Sequence, residues 1–148
     1  AKVEINAQRI RIFLPSPVLF EVGKVDLKPE AINTLKEIAK SIKTIKNVII
    51  VEGHTDNIPL RGGKYGTNWE LSAARAFSVI RYFIEQEQIP PARFSVYGYG
   101  EFRPAPENQK SHPEIEKEED MKKVIDILNE TEEERARNRR IEINIIRT

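Results

Sequence analysis

Val48-Ile49-Ile50-Val51-Glu52-Gly53-His54-Thr55-Asp56 joins four consecutive β-branched residues to a polar Gly-His-Thr-Asp end. β-Branched side chains lose χ1 freedom in a helix and pack well on a pleated sheet, so Val48 to Glu52 reads as a buried strand. Its apolar part is also the longest such run in the chain, far below the ~18 residues that would span a bilayer. Upstream, Ile32, Leu35, Ile38, Ala39, Ile42 and Ile45 recur at helical spacing, with Lys36, Lys40 and Lys43 on the other side. Asp26 to Glu30 opens that helix with Pro29 near its first turn, and Asn47 reads as its stop. Downstream, a loop rich in Gly and Pro runs from Asn57 to Gly66. Thr67-Asn68-Trp69-Glu70 then has the form of a capping box. The helix beyond it, from Trp69 to about Gln86, is apolar nearly all round, which predicts a central, well-buried element.

Both ends of the chain alternate. Val3 to Ile5, then Ile10, Ile12 and Leu14, predict two short strands within an N-terminal segment 1–17 that Pro15 and Pro17 terminate. Val18 to Gly23 reads as a loop or short strand. Phe94 to Gly98 reads as a third main strand after the Ile89-Pro90-Pro91 stop, and Arg103 to Pro113 as a loop with three prolines. Met121, Val124, Ile125 and Leu128 predict a short amphipathic helix. Thr131 and Glu134 form a second capping box, opening a helix through Asn138, and Ile141 to Ile145 is the last strand. Helices alternating with strands imply an α/β (α+β) sandwich, one mixed sheet with helices packed on it. The whole chain, 1–148, reads as one domain with an acidic helical insert at 105–134 before the last strand.

Composition narrows the function classes. The 148 residues fit one domain of common size, about 100–150 residues. Lys and Arg number 24 against 23 Asp and Glu, so net charge gives no reason to expect nucleic acid. The distribution is uneven, with 11 acids and 6 bases between Glu107 and Arg137 and a basic excess elsewhere. The absence of cysteine excludes disulfides, zinc–thiolate sites and Cys nucleophiles. With two histidines, His54 and His112, far apart in the chain, no metal site is expected, and His54 reads as a strand-end residue bonded to backbone. No Gly-x-Ser-x-Gly, P-loop or dinucleotide fingerprint is present, so no catalytic residue and no cofactor is assigned.

Arg75 is the anomaly. Asn68, Leu71 and Arg75 share one face of the otherwise apolar helix, and Asp56 sits just past a strand end, where sheet folds place ligands. A guanidinium there needs a carboxylate. Two readings fit: an internal Arg75–Asp56 ion pair, or a zwitterion site in which Arg75 grips a ligand carboxylate and Asp56 takes its ammonium. Arg135, Asn138, Arg139 and Arg140 form a second cluster, either a solvated helix end or the source of one arginine for that pocket. The Met121–Leu128 stripe docks on the body, or else on a second copy or a partner.

These pieces together resemble the OmpA-like peptidoglycan-binding domains, and within them the periplasmic domains of MotB-type flagellar stator subunits. The resemblance runs from Val18 to about Ile146. It rests on Leu19-Phe20 with Gly23, Leu27-Lys28-Pro29, Val51 to Asp56, Thr67 to Ala76, Gly98-Tyr99-Gly100-Glu101 with Arg103-Pro104, and Arg135 to Ile143. The Thr-Asn-Trp-Glu-Leu-Ser stretch and the longer loop before it favour stator domains over porin or Pal relatives. The resemblance implies non-catalytic binding of the peptidoglycan peptide stem, through its diaminopimelate, at Asp56 and Arg75. Thr55, Asn68 and Leu71 belong to the pocket, the backbone amides of Phe20 and Glu21 face the ligand, and Arg139 is carried over. It further implies a homodimer in the periplasm, and a MotA-type partner met through an N-terminal transmembrane helix of the inner membrane outside this chain. A general OmpA/Pal-type envelope anchor and a ligand-free dimerisation domain are the alternatives. The segment from Arg103-Pro104 to Arg135 is longer and more acidic than the family pattern.

Overall fold

The computed structural model describes residues 2–60 and 65–148. Part of the expected Gly/Pro loop, 61–64, lies outside them. Strands β1 (Lys2–Ile5), β2 (Arg9–Pro15), β3 (Ile49–His54), β4 (Phe94–Gly98) and β5 (Arg140–Ile146) form one mixed sheet in the order β1-β2-β5-β3-β4. Only β3 and β4 run parallel; the other pairs are antiparallel. The helices are a single turn α1 (Ser16–Leu19), α2 (Ala31–Lys43), α3 (Asn68–Glu85), α4 (Pro106–Lys110), α5 (Met121–Ile127) and α6 (Glu132–Asn138). The expected α/β sandwich with its mixed sheet is therefore observed.

Alternation divides the sheet into two faces. Leu14 of β2, Ile49 and Val51 of β3 and Ile141, Ile143 and Ile145 of β5 point to one side. There they pack with Leu35, Ala39 and Ile42 of α2 and Ala76, Val79, Ile80 and Phe83 of α3. Arg9 and Arg11, Glu52 and His54, and Arg140, Glu142 and Asn144 occupy the intervening positions of the same three strands. Glu142 and Asn144 are nonetheless 0% and 1% exposed. Neighbouring side chains on this face engage them: Arg11 and Arg140 bind Glu142, and the Asn144 amide donates to Glu52 Oε2, while residues of the 105–134 segment stand across a cleft.

Several local expectations needed adjustment. Helix α3 buries one side only: Trp69 and Phe77 are 49% and 44% exposed, because α2 and the sheet cover just part of its circumference. Trp69 stacks on Phe102 at 5.0 Å, and Arg81 lies over the Phe77 ring at the same distance. At its N-terminus the Thr67 hydroxyl oxygen accepts the Glu70 N–H, but the Glu70 carboxylate returns to the hydroxyl rather than to the backbone, so the box is half made. The Thr131–Glu134 box is complete. Val18 and Leu19 belong to α1 rather than a strand, and α4 interrupts the expected proline loop. Pro106 sits at the start of α4, where a missing N–H costs nothing.

Three buried asparagines hold the 105–134 segment. The Asn138 carbonyl oxygen accepts from Ala105 N–H at 2.7 Å and from the Asn108 amide at 3.0 Å. The Asn138 amide donates to Leu128 O and Asn129 Oδ1. Asn138→Ala strands these groups in a site sealed by Ile125 and Leu128. It is expected to cost about 2 kcal/mol of unfolding free energy in urea titration, the penalty of a buried unsatisfied group.

His54 sits on the polar face. Its Nε2 lies 2.9 Å from Glu52 Oε1, so its partner is a carboxylate and not the expected backbone group, and its ring stacks on Tyr99. Burial first, and then the Arg140 guanidinium, pull the pKa down to about 3, outweighing Glu142, which favours the imidazolium. The unfolded chain therefore takes up a proton below pH ~6.5 that the folded chain refuses until pH ~3. This contribution is full above pH 6.5 and is lost on acidification. Between pH 7 and 4.5 the wild type should lose about 2 kcal/mol more than His54→Gln, as read by urea denaturation at both pH values.

Candidate functional site

Strand β3 ends at His54, and the chain turns away with Thr55 N–H donating to Gly100 O. This turn presents Asp56 beside the N-terminal half of α3. Asp56 Oδ1 accepts the Ile58 N–H at 3.0 Å, while the Asn68 amide donates to Ile58 O at 3.1 Å and more weakly to Asp56 O. Asn68, at the first helical position, is thus the clamp that fixes the aspartate. The Thr55 hydroxyl donates to Asp56 O. Thr55 and Asp56 are each 7% exposed.

Arg75 and Leu71 face the same cleft from α3. Burial draws the Arg75 pKa below its ordinary value. Of the two readings open from the sequence, the internal Arg75–Asp56 ion pair is not formed. Arg75 Nε instead donates to Lys24 O at 2.9 Å, its Nη2 donates to Glu21 O at 3.2 Å, and the guanidinium lies 5.0 Å from the Phe20 ring centre. Among the described residues no carboxylate lies within salt-bridge distance of it. Carbonyls and a ring satisfy part of the fork in a loop that α1 has turned toward α3, and the positive charge stays unneutralised.

The partner of Asp56 is Arg139, whose Nη1 donates to Asp56 Oδ2 at 2.6 Å. Its Nη2 also pairs with Glu132. In the arginine cluster Arg139 is therefore the residue that reaches the cleft, while Asn138 and Arg140 are 1% and 4% exposed and do not form a solvated helix end.

The cleft so formed has a volume of about 550 Å³ and takes in Phe20, Thr55, Asp56, Asn68, Leu71, Arg75 and Arg139 of the expected residues. Phe20 contributes its ring; its amide is committed to Ser16 O. Glu21 contributes its carbonyl, as an acceptor for Arg75 rather than as an amide donor. Ser16, Ile58, Leu60 and Tyr65 also line the cleft and were not expected. The Ser16 hydroxyl is buried and has no partner among the described residues. Only its place between Pro15 and Pro17, which fold the chain into α1, hinted at it. A cation and an anion on neighbouring walls, backed by apolar side chains, can hold a zwitterionic head group.

The sequence model of the OmpA family matches residues 19–119. The chain belongs to the OmpA family. Motility protein B of Bacillus subtilis is similar to it, with 29% identity over 147 residues, 98% of this chain and 48% of that protein. The chain spans about half the length of the relatives it matches. Its fold is similar to that of the cell wall anchor of the T6SS from Pseudomonas aeruginosa, with a TM-score of 0.78, 27% identity, and 99% of this chain and 87% of that one covered. It is likewise similar to the periplasmic domain of Helicobacter pylori MotB, with a TM-score of 0.73, 28% identity, and 97% and 86% covered. As an OmpA family domain, the chain has the mixed sheet of these neighbours with the Asp56 turn at the end of β3.

Proposed function

We propose that this domain is a non-catalytic peptidoglycan-binding module that anchors a flagellar motor stator to the cell wall. The observation that carries this reading is Arg75, a buried guanidinium without a carboxylate partner among the described residues, sharing a cleft with Asp56. A peptide stem bearing diaminopimelate offers a free amino-acid head group. Its carboxylate takes the unfilled donors of Arg75, and its ammonium takes the remaining lone pairs of Asp56, whose two oxygens hold one donor each. Thr55 and Asn68 hold the aspartate in place, and Leu71 and Phe20 supply the apolar wall. Binding of this type selects by charge pairing and uses no nucleophile or metal. The likeness to Motility protein B and to MotB periplasmic domains supports a stator, working in the periplasm as a homodimer and joined to a MotA-type subunit through an inner-membrane segment outside this chain.

Likeness to the T6SS cell wall anchor, at the higher TM-score, favours a second reading, a general envelope anchor using the same cleft. Co-sedimentation with purified sacculi tests both. Wild type should pellet, and folded Asp56→Ala and Arg75→Ala should remain in solution; equal pelleting of all three would remove this cleft as the binding site. Replacing the periplasmic domain of a stator protein with this chain then separates the readings, since restored swimming supports the stator and wall binding without swimming supports the general anchor.

A further inference from the structure

A second cleft, of about 490 Å³, lies on the opposite face of the sheet from α2 and α3, between the polar strand positions and the 105–134 segment. Its charge is unbalanced. Arg9, Arg11, Arg103 and Arg140 line it together with only two carboxylates, Glu52 and Glu142. Both carboxylate oxygens of Glu142 are engaged by guanidiniums, Oε1 by Arg11 and Oε2 by Arg140. Arg140 spends its other donors on Asn138 O and Arg103 O. Arg9 and Arg103 have no carboxylate within salt-bridge distance among the described residues. Arg103 lies 4.9 Å above Tyr99, which in turn stacks on His54.

The floor is built rather than incidental. Glu142, His54 and Arg140 are 0%, 3% and 4% exposed, and His54 Nδ1 is buried with no partner among the described residues. Burial is the first cause of the low His54 pKa, and the positive potential of Arg140, Arg11 and Arg103 lowers it further, against Glu142. That potential also disfavours a cation between Glu52, His54 and Glu142, although the three come close enough to hold one. The facing wall is apolar, formed by Val124, Ile125 and Leu128 with Phe102.

We infer that this cleft is a binding site for a phosphomonoester attached to an apolar group. Two unpaired guanidiniums match a phosphoryl group, which carries close to two negative charges at neutral pH, and would leave one cation unmatched by a single carboxylate. Arginine forks suit phosphate oxygens in a bidentate manner, and the apolar wall accepts what the phosphate is attached to. The site shares no residue with the Asp56–Arg75 cleft, so the two assignments stand or fall separately.

The probe is phenyl phosphate, titrated into the whole 148-residue chain and followed by amide shifts in a proton–nitrogen NMR spectrum. Saturable shifts are expected at Arg11, Tyr99 and Arg103. The Arg9→Gln/Arg103→Gln double variant, which removes the two guanidiniums outside the ion-paired floor and leaves that floor intact, should bind at least about ten-fold more weakly. Arg75→Ala should bind like wild type, and benzoate, with the same ring and one charge, should bind about ten-fold more weakly. Vesicles of phosphatidylcholine doped with phosphatidic acid distinguish the source. Arginine-dependent co-sedimentation with them identifies a lipid headgroup, and phenyl phosphate binding without it identifies a soluble phosphomonoester. Absence of saturable shifts, equal affinity of the double variant, or equal affinity for benzoate overturns the inference.

Discussion

Arg75→Ala should remove the chain from the sacculus pellet while leaving it folded, and Arg75→Lys should recover only a small part of the binding. In the free protein Arg75 is already a cation without a counter-charge among the described residues, 8% exposed and held by two backbone carbonyls and the face of Phe20. The desolvation of that charge is suffered during folding, so a ligand carboxylate arriving at the remaining donors gains an interaction without a further burial cost. Loss of one partner from a buried charge pair costs on the order of 2–5 kcal/mol, or roughly 30- to several-thousand-fold in affinity. Lysine keeps the charge but has neither the planar fork that spans Lys24 O and Glu21 O nor the face that stacks on Phe20. Isothermal titration of a diaminopimelate-containing stem peptide into the three proteins measures the effect. Stability should respond in the opposite sense or hardly at all, because alanine removes a buried unpaired charge. Unchanged affinity in folded Arg75→Ala would detach Arg75 from the ligand and with it the zwitterion reading.

Gly53→Ala should lower stability by about 3 kcal/mol or more, above the usual range for an added methyl group in a packed core. A Cβ at Gly53 would stand 1.9 Å from the carbonyl oxygen of Ser72 and 2.6 Å from its carbonyl carbon. Both are backbone atoms of α3, so no side-chain rotation relieves the overlap; the helix must move off the sheet. Gly98 on the adjacent strand, paired with Gly53 in the parallel ladder, meets Ala73 in the same way at 2.6 Å. The two glycines let α3 lie directly on β3 and β4, and that approach carries Asn68 and Arg75 to the end of β3 where Asp56 turns out. Urea denaturation measures the loss. Gly53→Ala should also weaken sacculus binding in whatever fraction remains folded, since a displaced helix carries Arg75 away from Asp56. Wild-type stability in Gly53→Ala would mean that this helix–sheet contact yields at little cost.

What the sequence determined by itself is local. Ile49 and Val51 of the β-branched run (though not Val48, which lies before β3 and is exposed), the alternation of Ile141, Ile143 and Ile145 and the helical spacing of Leu35, Ala39 and Ile42 each place one side of an element against apolar neighbours, and burial follows wherever those neighbours lie. The Thr131–Glu134 box closes within four residues, so it too was legible. Asp56, Asn68, Leu71 and Arg75 could be brought to one place because three of them share a helix face and the fourth ends a strand. Tertiary structure alone chose the partners. Asp56 and Arg139 are 83 positions apart, and that pair replaced the Asp56–Arg75 pair because the loop behind Phe20 supplies carbonyls to Arg75 first. The same holds for Glu142 and Asn144, which alternate as solvent-facing residues and yet are buried, with Arg11 of β2 and Arg140 on Glu142 and Glu52 of β3 on Asn144. Periodicity tells a residue which side of its own element it occupies; what covers that side is set by the docking of distant chain, and a charge at the end of a flexible side chain pairs with whichever group that docking brings nearest.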